Sequence, residues 1–211
     1  MGKFRKGVNG GFFGKTGSVI GSKWKGIYYM RGLPDPVKRK ATPLQIDQRE
    51  KFRFVSRFLQ TIQPVVQVGF RNVEFKRSAL NAALSDVMSS AVEGTYPDYR
   101  INYPELSISR GALFSPKGCR VELGDEEILF SWINDTGHTK IGADEEVIMA
   151  AISDSHYPLY SIGDFQRSEA AGSLPTLNVP SGTVFHCYLA MASRQNEMVT
   201  NSIYLGEITM P

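Results

Sequence analysis

The hydrophobic period of this chain changes once, near Tyr96, and that change constrains the fold more than any other feature. Before it, apolar residues recur at steps of three and four. Phe52, Val55, Leu59, Ile62 and Val66 form one such stripe, the spacing of one helix face. Thr42-Pro43-Leu44-Gln45 precedes the stripe. Thr42 is placed to N-cap a helix, Pro43 suits its first turn, and Gln45 can complete a capping box. Pro64 should kink or restart that helix, and Gly69 should end it. Asn72 can cap a second helix over 73–93, with Leu80, Leu84, Val87 and Ala91 on one face. A helical pair over residues 41–95 is therefore expected.

After Tyr96, short strand-like runs appear at 99–103, 106–109, 119–123, 128–133, 146–152, 159–162, 177–179, 184–192 and 202–209. Turn residues such as Ser115-Pro116-Lys117-Gly118 and Pro180-Ser181-Gly182 separate them. Runs of this number and spacing point to a β-sandwich over 96–211. Trp132, within an apolar strand, resembles the core Trp of immunoglobulin-like and fibronectin type III-like domains. The expected class is α+β: a Gly-rich N-terminal arm with a β-hairpin, a helical pair, and a C-terminal immunoglobulin-like sandwich.

The arm, residues 1–40, is distinctive. Nine of the 20 glycines fall in the first 32 residues, with aromatic residues between them. Strands are expected at 18–24 and 26–31, turning near Lys25-Gly26. Two strands alone are marginal in water, so the segment should order against something else. Charge divides the chain as well. Residues 1–77 hold 17 Lys/Arg and four Asp/Glu, net +13; residues 78–211 hold seven and 17, net −10. Such a split suits head-to-tail contact between copies, or a basic part that touches phosphate.

The remaining motifs carry little chemistry. Gly14-Lys15-Thr16 echoes a phosphate-binding loop, but Asn9 stands where the motif needs its first glycine. His138, His156 and His186 show no zinc-ligand spacing, and neither do Cys119 and Cys187. On a strand His186 and Cys187 would face opposite sides, a solvent-facing His beside a core Cys. No catalytic residue, cofactor site or metal site is therefore expected, and the chain reads as a non-enzyme. Two matched acidic triplets, Asp125-Glu126-Glu127 and Asp144-Glu145-Glu146, each precede an expected strand. Solvated loops are the plain reading; calcium is an alternative without EF-hand spacing; a third is that the triplets meet the basic arm of a neighbour. Candidate contact residues in the basic part are Phe12, Phe13, Lys15, Lys23, Trp24, Lys25, Tyr28, Arg31, Lys38, Arg39 and Lys40. Cations interleaved with aromatics are also what single-stranded nucleic acid binding uses.

A resemblance adds to this. Gly10-Gly11-Phe12-Phe13-Gly14-Lys15-Thr16-Gly17-Ser18-Val19-Ile20-Gly21 and Trp24-Lys25-Gly26-Ile27-Tyr28-Tyr29-Met30-Arg31 resemble the opening signature of an uncharacterised Bacteroidetes family, a domain-of-unknown-function group. Thr42-Pro43-Leu44-Gln45, Gln48-Arg49-Glu50-Lys51-Phe52 and the closing Asn201-Ser202-Ile203-Tyr204-Leu205-Gly206 are similar to its later blocks. The resemblance implies no activity and no catalytic residues. The expectation that follows is a structural subunit that associates with copies of itself in a phage-type virion, a tail-like particle or a filament. A nucleic-acid-binding module is the alternative, and a carbohydrate-binding sandwich using Trp132, Tyr157 or Tyr160 is a third reading. No run approaches the ~20 apolar residues of a membrane span. The charged N-terminus has no apolar signal core, so a virion or extracellular assembly built after cytoplasmic synthesis is the expected location.

Overall fold

The computed structural model describes residues 2–4, 10–34, 40–72, 77–135, 142, 144–195 and 198–211. The chain divides into two compact units, Met1–Thr42 and Pro43–Pro211.

The first unit is an antiparallel sheet of β1 (Lys3–Phe4), β2 (Phe12–Thr16), β3 (Val19–Trp24) and β4 (Ile27–Gly32), in that order. The expected hairpin is β3–β4. Its two-residue turn is Lys25-Gly26, with φ of 44° and 92°, and positive φ at both central residues matches the right-handed twist of a hairpin. The sequence did not suggest β1 or β2. Gly14 sits inside β2, and glycine is a poor strand former. Packing against the glycines is the compensation. A Cβ on Gly21 would lie 2.3 Å from the Phe12 carbonyl oxygen, and one on Gly11 would lie 2.4 Å from the Tyr28 ring. The alternation of glycine and aromatic lets rings rest on bare backbone.

The second unit begins with α1 (Pro43–Thr61), where the Thr42-Pro43 start signal placed it. The chain breaks at Ile62 and continues as α2 (Gln63–Gly69), with Pro64 in its first turn. Gly69 ends the helix for a reason other than a left-handed cap: a Cβ there would sit 2.1 Å from the Ile108 carbonyl oxygen. Of the predicted stripe, Val55, Leu59, Ile62 and Val66 are fully buried, while Phe52 is 51% exposed. The next helix is α3 (Ala79–Ser90), capped by Ser78, whose Oγ accepts from the Asn81 N–H at 3.3 Å. The expected start at 73–76 lies outside the described residues. At its other end α3 gives way to a hairpin, β5 (Val92–Thr95) and β6 (Asp98–Ile101). Three helices thus replace the expected pair.

Seven strands follow: β7 (Arg120–Leu123), β8 (Glu127–Ser131), β9 (Glu146–Ile152), β10 (Leu159–Gln166), β11 (Ala171–Pro175), β12 (Val184–Ala192) and β13 (Ile203–Thr209). They form two antiparallel sheets, β10-β9-β12-β13 and β11-β8-β7. The runs at 106–109 and 177–179 are not strands. Ile108 is instead buried among the helices, and the Ser109 Oγ donates to the Thr200 carbonyl at 2.7 Å. The strand that the sequence hid is β11, whose Ala-Gly-Ser start has low β-propensity.

Alternation along β9 and β12 sets the layers. Val147, Met149, Ala151, Cys187, Leu189 and Met191 cluster with Ile128, Phe130, Trp132 and Leu174 of the three-stranded side. Ile148, Ala150, Ile152, Tyr188, Ala190 and Ala192 cluster with Val55, Leu59, Val66, Ala83 and Val87 of the helices. Helices, four-stranded sheet and three-stranded sheet therefore stack in three layers. The central strands are covered on both faces, which is why they read as near-continuous apolar runs. The protein is α+β with antiparallel sheets.

Candidate interaction surfaces

In the first unit, Gly21 is the sole buried residue among those described. Every residue of β4 is exposed. Trp24, Ile27 and Met30 stand 67%, 71% and 70% exposed. Cross-strand pairing puts Trp24 and Ile27 opposite each other and hence on one face, while Met30, three residues along β4 from Ile27, lies on the other. Both faces therefore offer apolar surface to water. β4 is also an edge. The Leu33 N–H donates to the Ser18 carbonyl at 2.8 Å, which makes that pair hydrogen-bonded; by alternation 20/31, 22/29 and 24/27 are too. Tyr28, Met30 and Gly32 then turn their N–H and C=O groups to the open side.

The predicted contact residues Phe12, Phe13, Lys15, Lys23, Trp24, Lys25, Tyr28 and Arg31 all lie on this sheet or its β3–β4 turn. Lys40 is exposed just after it. Lys38 and Arg39 lie outside the described residues. Two of the cations lean on rings: the Lys23 Nζ is 5.0 Å from the Tyr28 centroid, and the Lys25 Nζ is 5.9 Å from that of Trp24. Phe13 meets Tyr28 edge-on at 5.8 Å.

The two acidic triplets, alike in sequence, differ in place. Asp125 and Glu126 are exposed at the β7–β8 turn, with Glu127 opening β8. Among the described residues none of these three carboxylates is in an ion pair. In the second triplet Glu146 pairs with Arg194 and Glu145 is buried against Arg167, at 2.7 Å.

Arg167 is fully buried and is the hub of the loops at one end of the sandwich. Its Nε and Nη2 donate to the two oxygens of Asp135 at 2.8 and 2.9 Å. Its Nη1 donates to Glu145 and to the Phe114 carbonyl, both at 2.7 Å. Its own carbonyl accepts from the Trp132 Nε1 at 2.8 Å. This bidentate guanidinium holds the Asp135 carboxyl below its ordinary range, despite the opposing effect of burial. Trp132 is spent on the core and on this bond, so it is not a ligand platform; Tyr157, at 84% exposure, is open to solvent.

Sequence reasoning missed an aromatic cluster on the helix side of the central sheet. The Tyr103 hydroxyl donates to Asp154 at 2.6 Å, and its carbonyl accepts from the Tyr188 hydroxyl at 2.7 Å. His186 stacks on Tyr103 with centroids 3.8 Å apart and lies 3.0 Å from the Tyr204 hydroxyl. His186 is thus half-buried rather than solvent-facing. Burial lowers its pKa, against the pull of Glu207 and Asp154, so the ring is neutral at neutral pH. Beside it run two open hollows of about 540 and 490 Å³, sharing Phe58, Thr61 and Asp154. The signal was one tyrosine or phenylalanine from each of several elements, which no local spacing reveals. The cysteines are free. Burial raises Cys187 to about 12 and Cys119 to about 11, so both are protonated, weakly nucleophilic thiols at neutral pH. Among the described residues no cluster of His, Cys, Asp and Glu could hold a metal ion, and no helix is long and apolar enough to cross a membrane.

A basic, apolar sheet joined to a three-layer α+β unit is the frame in which relatives must be sought. The chain belongs to a family of unknown function, DUF6266, whose signature it matches over residues 11–206. An uncharacterised domain family is what the glycine- and aromatic-rich opening blocks led one to expect. No curated protein matches the chain.

Proposed function

We propose that this protein is a non-enzymatic structural subunit that assembles with copies of itself into a virion, a tail-like particle or a filament, the N-terminal sheet making the contact. One observation carries the reading: a four-stranded sheet with a single buried residue among those described and three large apolar side chains about 70% exposed. Such a sheet needs a covering partner to be stable. Burying each of those side chains is worth roughly 1.5–3 kcal/mol, and an open edge such as β4 is a template for a further strand. A fibronectin type III-like platform fits this role, and the pairing β10-β9-β12-β13 over β11-β8-β7 accords with that fold. The test is size exclusion with light scattering on nuclease-treated protein at physiological salt. The full chain should run as a multiple of its own mass, and Ile27→Ser/Met30→Ser as a monomer. A monomeric full chain would sink the reading.

The exposed Lys23/Tyr28 and Lys25/Trp24 pairs favour one second reading, contact with single-stranded nucleic acid. Its mark is affinity for an oligonucleotide that falls steeply and linearly in log–log form with salt.

A further inference from the structure

The outer face of the three-stranded sheet carries an apolar pocket of about 420 Å³, lined by Leu129, Phe165, Ala171 and Gly172 with Glu122 and Ser173 at its rim. The volume falls within the ~300–1,000 Å³ of ordinary binding pockets, ample for one indole. Register explains it. Leu129 points outward between Glu122 on β7 and Ser173 on β11, and the small side chains of β11 leave the hollow beside Phe165. Charge around it is graded. Glu122 is at the rim, and Asp125 and Glu126 follow about 10 Å further along the strand direction. Arg120 stands at the opposite end, across from Ser131.

The first unit carries the complement. Residues 1–34 contain no Asp or Glu, and the tip of the β3–β4 hairpin reads Lys23-Trp24-Lys25, its indole largely exposed. Other apolar surfaces of the second unit offer a cationic tip fewer unopposed carboxylates. The patch at Phe52 is lined by Arg49 and no carboxylate, the hollow beside Phe54 sets Arg53 and Arg57 against Glu50 and Asp154, and the hollow at Tyr157 has a single carboxylate, Asp154, beside His156. We propose that the acceptor for the N-terminal sheet is this pocket on a second copy, with Trp24 seated against Leu129 and Phe165, and Lys23 and Lys25 facing Glu122, Asp125 and Glu126. The inference rests on the self-association reading and adds its partner surface. Donor and acceptor are different patches, so the contact is head-to-tail and repeats along a ring or filament.

The experiment is complementation between assembly-defective variants. Trp24→Ala keeps an intact pocket; Leu129→Arg keeps an intact tip and places its charge at an already exposed position. Each alone should run as a monomer where the unaltered chain assembles, and an equimolar mixture should form a dimer that grows no further. A second set guards against misfolding: Lys23→Glu/Lys25→Glu should abolish assembly, and adding Glu122→Lys/Asp125→Lys/Glu126→Lys in the same chain should restore it. Unaltered protein that assembles while Leu129→Arg assembles equally well, or a mixture that stays monomeric, overturns the pocket and leaves self-association standing. Unaltered protein that never assembles overturns both.

Discussion

At the scale of residues, the clearest energetic statement concerns Arg167. Its guanidinium is removed from water completely, and it is held by two carboxylates and a carbonyl. Ion pairs of this depth contribute little net stability when intact, but losing one partner leaves a buried charge uncompensated, at about 3–5 kcal/mol. Arg167→Met should therefore lower the unfolding free energy measured in urea by that much, because Glu145 keeps its burial and loses its cation. The partner carboxyl gives a pH test. Asp135 has its pKa lowered in the folded state, so its contribution is fully present above the unfolded carboxylate value of about 3.9 and is lost as pH falls through the folded value. The stability gap between the unaltered chain and Asp135→Asn should be wide and flat from pH 7 to 5 and should close below pH 4. A gap that stays constant down to pH 3 would mean that Arg167 is held by Glu145 and Phe114 alone. None of this was legible in the sequence. Asp135, Glu145 and Arg167 are far apart in the chain, and Asp144-Glu145-Glu146 reads as a solvated run like its twin until the fold buries its middle member.

At the scale of elements, legibility followed local chemistry. The α1 start, the break at Pro64, the Lys25-Gly26 turn, β9 and β12 were readable because each coincides with a proline, a positive-φ pair or an unbroken apolar run. What was missed depends on distant packing. β2 and β11 contain glycine and small residues that only a neighbour can justify, and the run at 106–109 is apolar because it sits under α2, not because it is a strand. The proposed contact surface was half legible: Trp24 and its lysines were named from composition, whereas the pocket lined by Leu129 and Phe165 exists only once β10 and β11 come together. One element-scale prediction follows from β4. Met30 turns its N–H to the open edge, so Met30→Pro removes an outward donor without touching the β3–β4 ladder, and edge positions tolerate proline. If assembly uses strand addition as well as the Trp24 tip, this variant should weaken association by at least tenfold in sedimentation equilibrium while leaving the far-ultraviolet circular dichroism unchanged. Unweakened association would leave the hairpin tip as the whole contact.

At the scale of the molecule, charge and hydrophobic burial are separated along the chain. Every buried apolar side chain among the described residues lies between Val55 and Met210, while the first 34 residues bring cations, glycines and apolar and aromatic side chains such as Trp24, Ile27 and Met30 that stay exposed. The cores that fold the chain and the surface proposed to join it to other copies are thus carried by different segments. A chain truncated to residues 43–211 keeps both cores, so under dilute, monomeric conditions its urea midpoint should match that of the full chain to within the equivalent of about 1 kcal/mol, the scale of a typical single substitution. Its m-value should be slightly lower, in proportion to the smaller surface exposed on unfolding. At concentrations where the full chain assembles, the two should diverge: the full chain gains apparent stability with concentration by mass action, and the truncated chain does not. That concentration dependence is the sharpest whole-molecule readout, because it separates a sheet that stabilises its own subunit from one that is stabilised by the next. Equal midpoints at every concentration would remove the assembly role from residues 1–42, and a truncated chain with a much lower midpoint in dilute solution would assign them to the fold itself.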